Sequence, residues 1–158
     1  MKKFYDHLEE NLLFLALAFS VFLIFLQVVM RYVFGQSLSW SEELARYLFI
    51  WYTWIGTSLA VRKKRHIRIE ILADFLKGKA KLRLELVVLL VWALFSAFLA
   101  FKGLEIGRFL LSSNQTSPAL EIPMVFAYAA IPVGCVLMFL RLLGEMKETL
   151  TLLSKVEA

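Results

Sequence analysis

The sequence predicts an all-α integral membrane protein with four transmembrane helices and an interfacial amphipathic helix between the second and the third. Hydrophobic residues make up 60% of the 158 residues, and the mean hydropathy is +0.71, far above the usual composition of soluble proteins. Charged residues make up only 20% and are gathered between apolar runs that approach the length a helix needs to cross the hydrocarbon core. The chain is therefore predicted to form one membrane domain, residues 1–158.

Four apolar runs delimit the predicted spans. The first contains only two polar side chains, Ser20 and Gln27, and no small-residue cleavage site follows it, so we expect an uncleaved span and not a secretory signal. Pro132 predicts a kink in the fourth run, because proline removes one backbone hydrogen bond. The predicted spans cover residues 12–30, 40–61, 84–103 and 123–143.

A basic connection between the second and third spans predicts the orientation of the chain. Lys and Arg are retained on the cytoplasmic side, and residues 62–83 are rich in both, so both termini are expected in the cytoplasm. This topology accounts for the net charge of +5, and no nucleic-acid partner is expected. Apolar residues recur at helical spacing over residues 67–76, which predicts the interfacial helix. The residues expected at the membrane interface are His66, Ile71, Leu72 and Phe75.

The second span is unusual because its first two turns carry three ionisable residues, Glu42, Glu43 and Arg46. Glu42 and Arg46 stand four residues apart and can pair on one helix face, and Ser39 with Glu42 matches a capping box. Glu43 would then be satisfied by Arg31, by water or by a basic residue of a partner. These charges form either a solvated helix end or a contact with another protein.

Aromatic and small residues continue the second span in a pattern that favours contact with protein. Trp51 and Trp54 lie near the middle of the span and not at its ends, where aromatic belts sit. Gly56 and Ala60 form a small-xxx-small pair, which lets helix backbones approach closely. The predicted partner interface comprises Arg31, Trp40, Glu42, Glu43, Arg46, Trp51, Trp54 and Gly56.

No catalytic, cofactor or metal site is predicted. His7 and His66 lie in flanking segments without neighbours spaced as metal ligands or as the base of a nucleophile, and Cys135 is the only cysteine. Few polar side chains lie near mid-span, so no solute pathway is predicted within the chain. Two alternatives stay open, a small homo-oligomeric channel and an accessory subunit of another multi-subunit membrane complex, such as one that carries haem or quinone.

Several segments resemble the small membrane subunit, of the DctQ type, of tripartite ATP-independent periplasmic (TRAP) transporters. The segments read RYVFG at residues 31–35, WSEELAR at residues 40–46 and RHI at residues 65–67, with Gly56 between the last two. Their spacing agrees with the family throughout this stretch. The second half of the chain is similar in length, apolar pattern and proline positions.

The resemblance implies a scaffold in the bacterial cytoplasmic (inner) membrane. In that family a soluble periplasmic binding protein captures an organic acid, such as a C4-dicarboxylate or a sialic acid. A large membrane subunit then moves the acid with sodium ions, and the small subunit holds the large one in place. Since this chain stops at Ala158, the large subunit is expected to be a separate polypeptide. The expected partners are thus the large subunit, the binding protein and membrane lipids.

Overall fold

The computed structural model describes the backbone of residues 2–62 and 79–157 and the side chains of residues 9–61 and 79–155. Over these ranges the chain is helical, as predicted, and a single isolated β-bridge is the only extended pairing. The helices are α1 (Lys2–Val33), α2 (Ser39–Arg62), α3 (Lys79–Ser112), α4 (Val125–Tyr128) and α5 (Ala130–Glu157). The predicted interfacial helix 67–76, with His66, Ile71, Leu72 and Phe75, lies outside the described residues.

Three helical stretches of the described chain are long and apolar enough to cross a membrane: Glu9–Val33, Lys79–Ser112 and Val125–Lys155. They coincide with the predicted spans 12–30, 84–103 and 123–143. Helix α2 is 24 residues long but does not reach the same hydropathy. The reason is its composition, because the charges of its first two turns are followed by Trp, Tyr and Thr, which are less apolar than Leu or Val.

The connection between α1 and α2 is a tight turn that reverses the chain. Gly35 adopts a φ of +67°, a left-handed conformation that glycine tolerates without a steric penalty. The N–H groups of Phe34 and Gln36 both donate to the Met30 carbonyl, at 3.2 and 3.0 Å, and so close the last turn of α1. Helix α2 therefore starts beside the end of α1.

The helices pack side by side in the order α1, α2, α5, α3, which differs from their order in the chain. Helix α2 contacts α1 on one side and α5 on the other, and the short α4 touches α2, α3 and α5. Helices α1 and α3 lie at the two ends and leave large apolar side chains uncovered. Examples are Phe14, Phe22 and Phe25 on α1 and Phe95, Phe98 and Phe101 on α3.

Small residues bring α3 and α2 close to α5. The buried residues of α3 are spaced by three, four, three and seven positions and are mostly small, namely Ala93, Ser96, Ala100, Gly103 and Leu110. A Cβ on Gly103 would lie 2.9 Å from Pro132 Cδ, and one on Gly134 would lie 2.7 Å from Trp54 Cβ. Backbones this close gain dispersion contacts that larger residues would prevent. A hydrophobic cluster of Val61, Ala93, Met138 and Leu142 joins the same three helices.

The last apolar stretch is divided into two helices just before Pro132. Helix α4 ends at Tyr128, Ala129 stands outside both helices, and α5 begins at Ala130. Pro132 has no N–H to donate to the carbonyl four residues before it, so the regular ladder lacks one bond there. Ala129 keeps helical angles, φ −60° and ψ −22°, and the chain continues past the break to Glu157.

Candidate functional site at the entrance of helix α2

The first charged group at the entrance links α2 to α1. Gln27, a buried residue of α1, donates from Nε2 to Glu42 Oε2 at 2.9 Å, and Arg46 Nη2 donates to Glu42 Oε1 at 3.2 Å. The predicted pair of Glu42 and Arg46 is therefore present, with 56% and 63% of these side chains exposed. The predicted capping box is wrong, because the Glu42 carboxylate turns toward Gln27 and Arg46 and not back toward Ser39.

The second acidic residue, Glu43, is only 6% exposed and is bound inside the chain. Tyr47 donates its hydroxyl to Glu43 Oε1 at 2.5 Å, and the backbone N–H groups of Ala119 and Leu120 donate to Oε2 at 2.9 and 3.0 Å. The expectation that Arg31, water or a partner satisfies this carboxylate is wrong. Tyr47 and a loop 76 residues further along the chain bind it instead.

That loop, residues 113–124, is built so that two of its amides point at Glu43. An isolated β-bridge joins Thr116 and Pro123, and Ser117 N–H donates to the Ile122 carbonyl at 2.8 Å. Within the bridge the chain makes one helical turn, closed by Glu121 N–H on the Ser117 carbonyl at 3.1 Å. The first N–H groups of such a turn have no acceptor within it, and a carboxylate is a suitable cap for them. Glu43 therefore caps the turn from another helix.

Two tryptophans continue the same side of α2 toward α4 and α5. Trp51 Nε1 donates to the Phe126 carbonyl of α4 at 3.0 Å. The backbone and Cβ of Trp54 form the surface on which Gly134 of α5 packs. Together with Glu43 and Tyr47, they line one side of α2 that is covered by the loop, α4 and α5.

The predicted interface residues thus separate into two sets. Glu43, Trp51 and Trp54 hold the chain's own elements together. The others are turned away from the core: Trp40 is 43% exposed, Arg31 is exposed, and no atom of the described residues lies within 4 Å of the position a Cβ on Gly56 would take. The outward set consists of Arg31, Trp40, Glu42, Arg46 and Gly56.

A second tie, which the sequence did not predict, links α1 and α5 at the opposite end of the layer. Arg141 Nη2 donates to both oxygens of Glu9, at 2.8 and 3.0 Å, and the two side chains are 19% and 21% exposed. The only signal in the sequence is an ionisable residue at the end of each apolar run. Pairing two such residues across 132 positions requires the fold.

Comparison with known proteins gives a family match that covers most of the helices and the loop described above. The sequence profile of the family described as "Tripartite ATP-independent periplasmic transporters, DctQ component" matches residues 20–152. The chain belongs to this family. The match includes the entrance of α2, the loop 113–124 and the whole α2 to α5 contact. With three helices apolar enough to span a bilayer, this DctQ component is a multi-pass membrane protein.

The relatives of this DctQ component include separate small subunits and much longer permeases. It is 35% identical over 109 residues to the C4-dicarboxylate TRAP transporter small permease protein DctQ of Rhodobacter capsulatus, covering 69% of this chain and 48% of the relative. It is 28% identical over 144 residues to the isethionate TRAP transporter permease protein DctMQ of Oleidesulfovibrio alaskensis, covering 87% and 23%. It is 35% identical over 143 residues to the sialic acid TRAP transporter permease protein SiaT of Haemophilus influenzae, covering 88% and 22%. The chain thus spans half or less of the length of each of these three relatives.

Proposed function

We propose that this chain is a small permease subunit that holds a large, sodium-coupled TRAP subunit in place and that it has no catalytic role. One observation supports this most directly: the polar side chains of α2 are used to connect the chain's own elements. Glu42 binds Gln27 of α1 and Arg46 in the next turn of α2. Glu43 binds Tyr47 and the loop, and Trp51 binds Phe126 of α4. A chain braced in this way is suited to support a partner and offers no polar pathway of its own.

The large partner and the transported solute are proposed from the relatives. In the isethionate and sialic acid permeases the segment similar to this chain is less than a quarter of one longer permease protein. A second membrane subunit would supply the corresponding remainder here. The names of the relatives include C4-dicarboxylate, isethionate and sialic acid, all organic anions. We therefore propose uptake of an organic acid that a soluble periplasmic binding protein delivers.

The proposed topology has four spans in the cytoplasmic membrane, with both termini in the cytoplasm and residues 67–76 along the inner interface. The loop 113–124 would then face the periplasm. Single cysteines at Gln115 and at Lys79, both exposed, test it in a Cys135→Ser background. An impermeant thiol reagent added to intact cells should label Gln115→Cys and leave Lys79→Cys unmodified. The reverse pattern would contradict the proposed orientation.

The outward residues at the entrance are proposed to meet the large subunit, and Glu43 is proposed to support them indirectly by fixing the adjoining loop. Arg46→Ala should weaken the contact itself, because it leaves the exposed side of Glu42 without its pair. Glu43→Ala should act through the loop, because the amides of Ala119 and Leu120 lose their acceptor.

Copurification tests the proposed function. The chain, tagged and coexpressed with the large subunit, should copurify with that subunit. The two subunits, together with the binding protein, should take up an organic acid into liposomes when a sodium gradient is applied. A homo-oligomer that conducts ions without the large subunit would favour the channel alternative. A coloured preparation with bound haem would favour an accessory redox subunit.

A further inference from the structure

The exposed residues of α2 follow one line along the helix. Between residues 41 and 61, the exposed side chains belong to Glu42, Arg46, Phe49 and Thr53, which are spaced by four, three and four positions. This spacing keeps residues on one helix face. The same line continues through Gly56. We call these five residues the outer stripe.

The composition of the outer stripe does not suit lipid. On α1 and α3 the exposed residues of the apolar runs are chiefly Phe, Leu, Val and Ile, which acyl chains solvate well. The outer stripe instead holds an ion pair, a threonine and a glycine beside one phenylalanine, and α2 is the one long described helix that is not apolar enough to be a candidate span. Because α1 and α5 already cover its two sides, protein on the remaining face would remove this mismatch.

Gly56 forms a notch in the outer stripe. The two glycines that pack closely inside the chain, Gly103 and Gly134, leave less than 3.0 Å between an added Cβ and a neighbouring helix. At Gly56 no described atom lies within 4 Å. Glycine lowers helix stability, so a position in the helix interior that keeps it gains most if another backbone or a large side chain approaches there. The notch has no such neighbour within the described chain.

An exposed guanidinium group lies at the end of the outer stripe. Arg46 pairs with Glu42 through one nitrogen and remains 63% exposed, and Arg31 is exposed at the end of α1 nearby. The Glu43 carboxylate is directed at Tyr47 and the loop and not at Arg46. A complementary partner would place an acidic side chain or the carbonyl end of a helix at this point.

We propose that one transmembrane helix of the large subunit lies along the outer stripe, with a bulky apolar side chain in the notch at Gly56 and an acidic group beside Arg46. This inference rests on the proposed function and names the face of α2 that carries it out. The inward residues Glu43, Trp51 and Trp54 stabilise the frame behind the stripe and do not touch the partner.

Photocrosslinking tests the proposal with two matched phenylalanines. Phe49 on the outer stripe and Phe98 on α3 are 56% and 57% exposed, so p-benzoyl-phenylalanine fits either position without disturbing the core. Each variant is coexpressed with the large subunit, copurified and irradiated. The Phe49 variant should form a covalent adduct with the large subunit, and the Phe98 variant should label lipid. A large-subunit adduct at Phe98 only, or an adduct at Phe49 with lipid or a second copy of this chain, would overturn the proposal.

The results separate the inference from the function on which it rests. If the large subunit copurifies but does not crosslink at Phe49 or at a second probe at Thr53, the scaffold role stands and the outer stripe is not its interface. If the large subunit does not copurify with the unmodified chain, the proposed function itself is wrong and the inference falls with it.

Filling the notch gives an independent readout. Gly56→Leu should reduce the amount of large subunit that copurifies by about tenfold, since overpacking a close contact weakens it strongly. Gly144→Leu is the matched control, because a Cβ at Gly144 also meets no described atom within 4 Å and Gly144 belongs to α5, not to the stripe. Both variants should elute alone as the parent chain does, which separates a lost interface from misfolding. Equal copurification of the two variants with the large subunit would contradict the proposed contact at Gly56.

Discussion

The close approach of α5 to α2 at Gly134 makes a quantitative prediction. A Cβ added there would lie 2.7 Å from Trp54 Cβ, 2.9 Å from the Trp54 carbonyl oxygen and 3.0 Å from its carbonyl carbon. Two of these three atoms belong to the backbone, so no side-chain rotation relieves the contact. Since carbon atoms pack at about 3.5 to 4.0 Å, Gly134→Ala should push the two helices apart by about 1 Å.

The size of the effect follows from two opposing contributions. Overpacking of this kind costs about 1 to 3 kcal/mol, whereas alanine improves helix propensity over glycine by about 1 kcal/mol. Gly144→Ala brings only the second contribution, because no described atom lies within 4 Å of its Cβ position. The free energies of unfolding of the two variants should therefore differ by about 1 to 3 kcal/mol, with Gly134→Ala the less stable.

Thermal unfolding in a mild detergent measures this difference. For a chain of this length, 1 kcal/mol corresponds to about 2 to 4 °C in Tm, so the two alanine variants should differ by about 2 to 12 °C. Each is compared with the parent chain under identical conditions. If Gly134→Ala is as stable as Gly144→Ala, the close contact between α2 and α5 does not exist, and the helix order α1, α2, α5, α3 loses its main support.

Three further predictions concern other contacts that hold the helices and the loop together. Gly103→Ala, whose Cβ would meet Pro132 Cδ at 2.9 Å, should lower the Tm relative to Gly107→Ala, whose Cβ would meet Val125 Cγ2 at 3.9 Å; equal Tm values would exclude close packing of α3 on α5. Glu43→Gln should speed hydrogen exchange at the amides of Ala119 and Leu120, measured by mass spectrometry of peptides from residues 113–124. Glu121→Gln, on the exposed side of the loop, serves as the control, and unchanged exchange in Glu43→Gln would show that Glu43 does not hold the loop. Arg141→Met and Glu9→Gln should each destabilise the chain by roughly 1 to 3 kcal/mol and show a non-additive double mutant; additivity would mean that the two side chains do not interact.

The helices could be predicted from the sequence because the physics that forms them is local. Apolar runs of bilayer length depend on neighbouring residues, and three of the four predicted runs overlap helices that are long and apolar enough to cross a membrane. The pairing of Glu42 with Arg46 was equally predictable, because four residues separate two adjacent positions on a helix.

The environment of Glu43 could not be predicted, because it depends on contacts between distant segments. The sequence indicates that a carboxylate in the first turn of a span needs compensation, but a hydrogen-bond donor 76 residues away becomes visible only in the fold. The same limit applies to Arg141 with Glu9 and to Gly134, whose close contact is with Trp54, 80 positions earlier in the chain. Local patterns thus predict which groups need partners, and the order of the helices decides which partners they receive.

The structure changes the predicted arrangement of the residues of α2. Its residues were expected to form one partner interface, and the structure divides them between an inward side that binds the loop, α4 and α5 and an outward side that carries Arg46 and Gly56. A helix with only one free face can connect its own chain to a second protein. This division is the physical basis of the proposed scaffold.

The most direct test of the scaffold is sodium-driven uptake measured with and without this chain. Liposomes that contain the large subunit, the binding protein and this chain should accumulate an organic acid under a sodium gradient, and the chain should elute with the large subunit as one complex. Omitting the chain should abolish uptake. Arg46→Ala should reduce both uptake and co-elution with the large subunit. Full uptake by the large subunit and binding protein alone would contradict the central claim that this chain holds the transporter together.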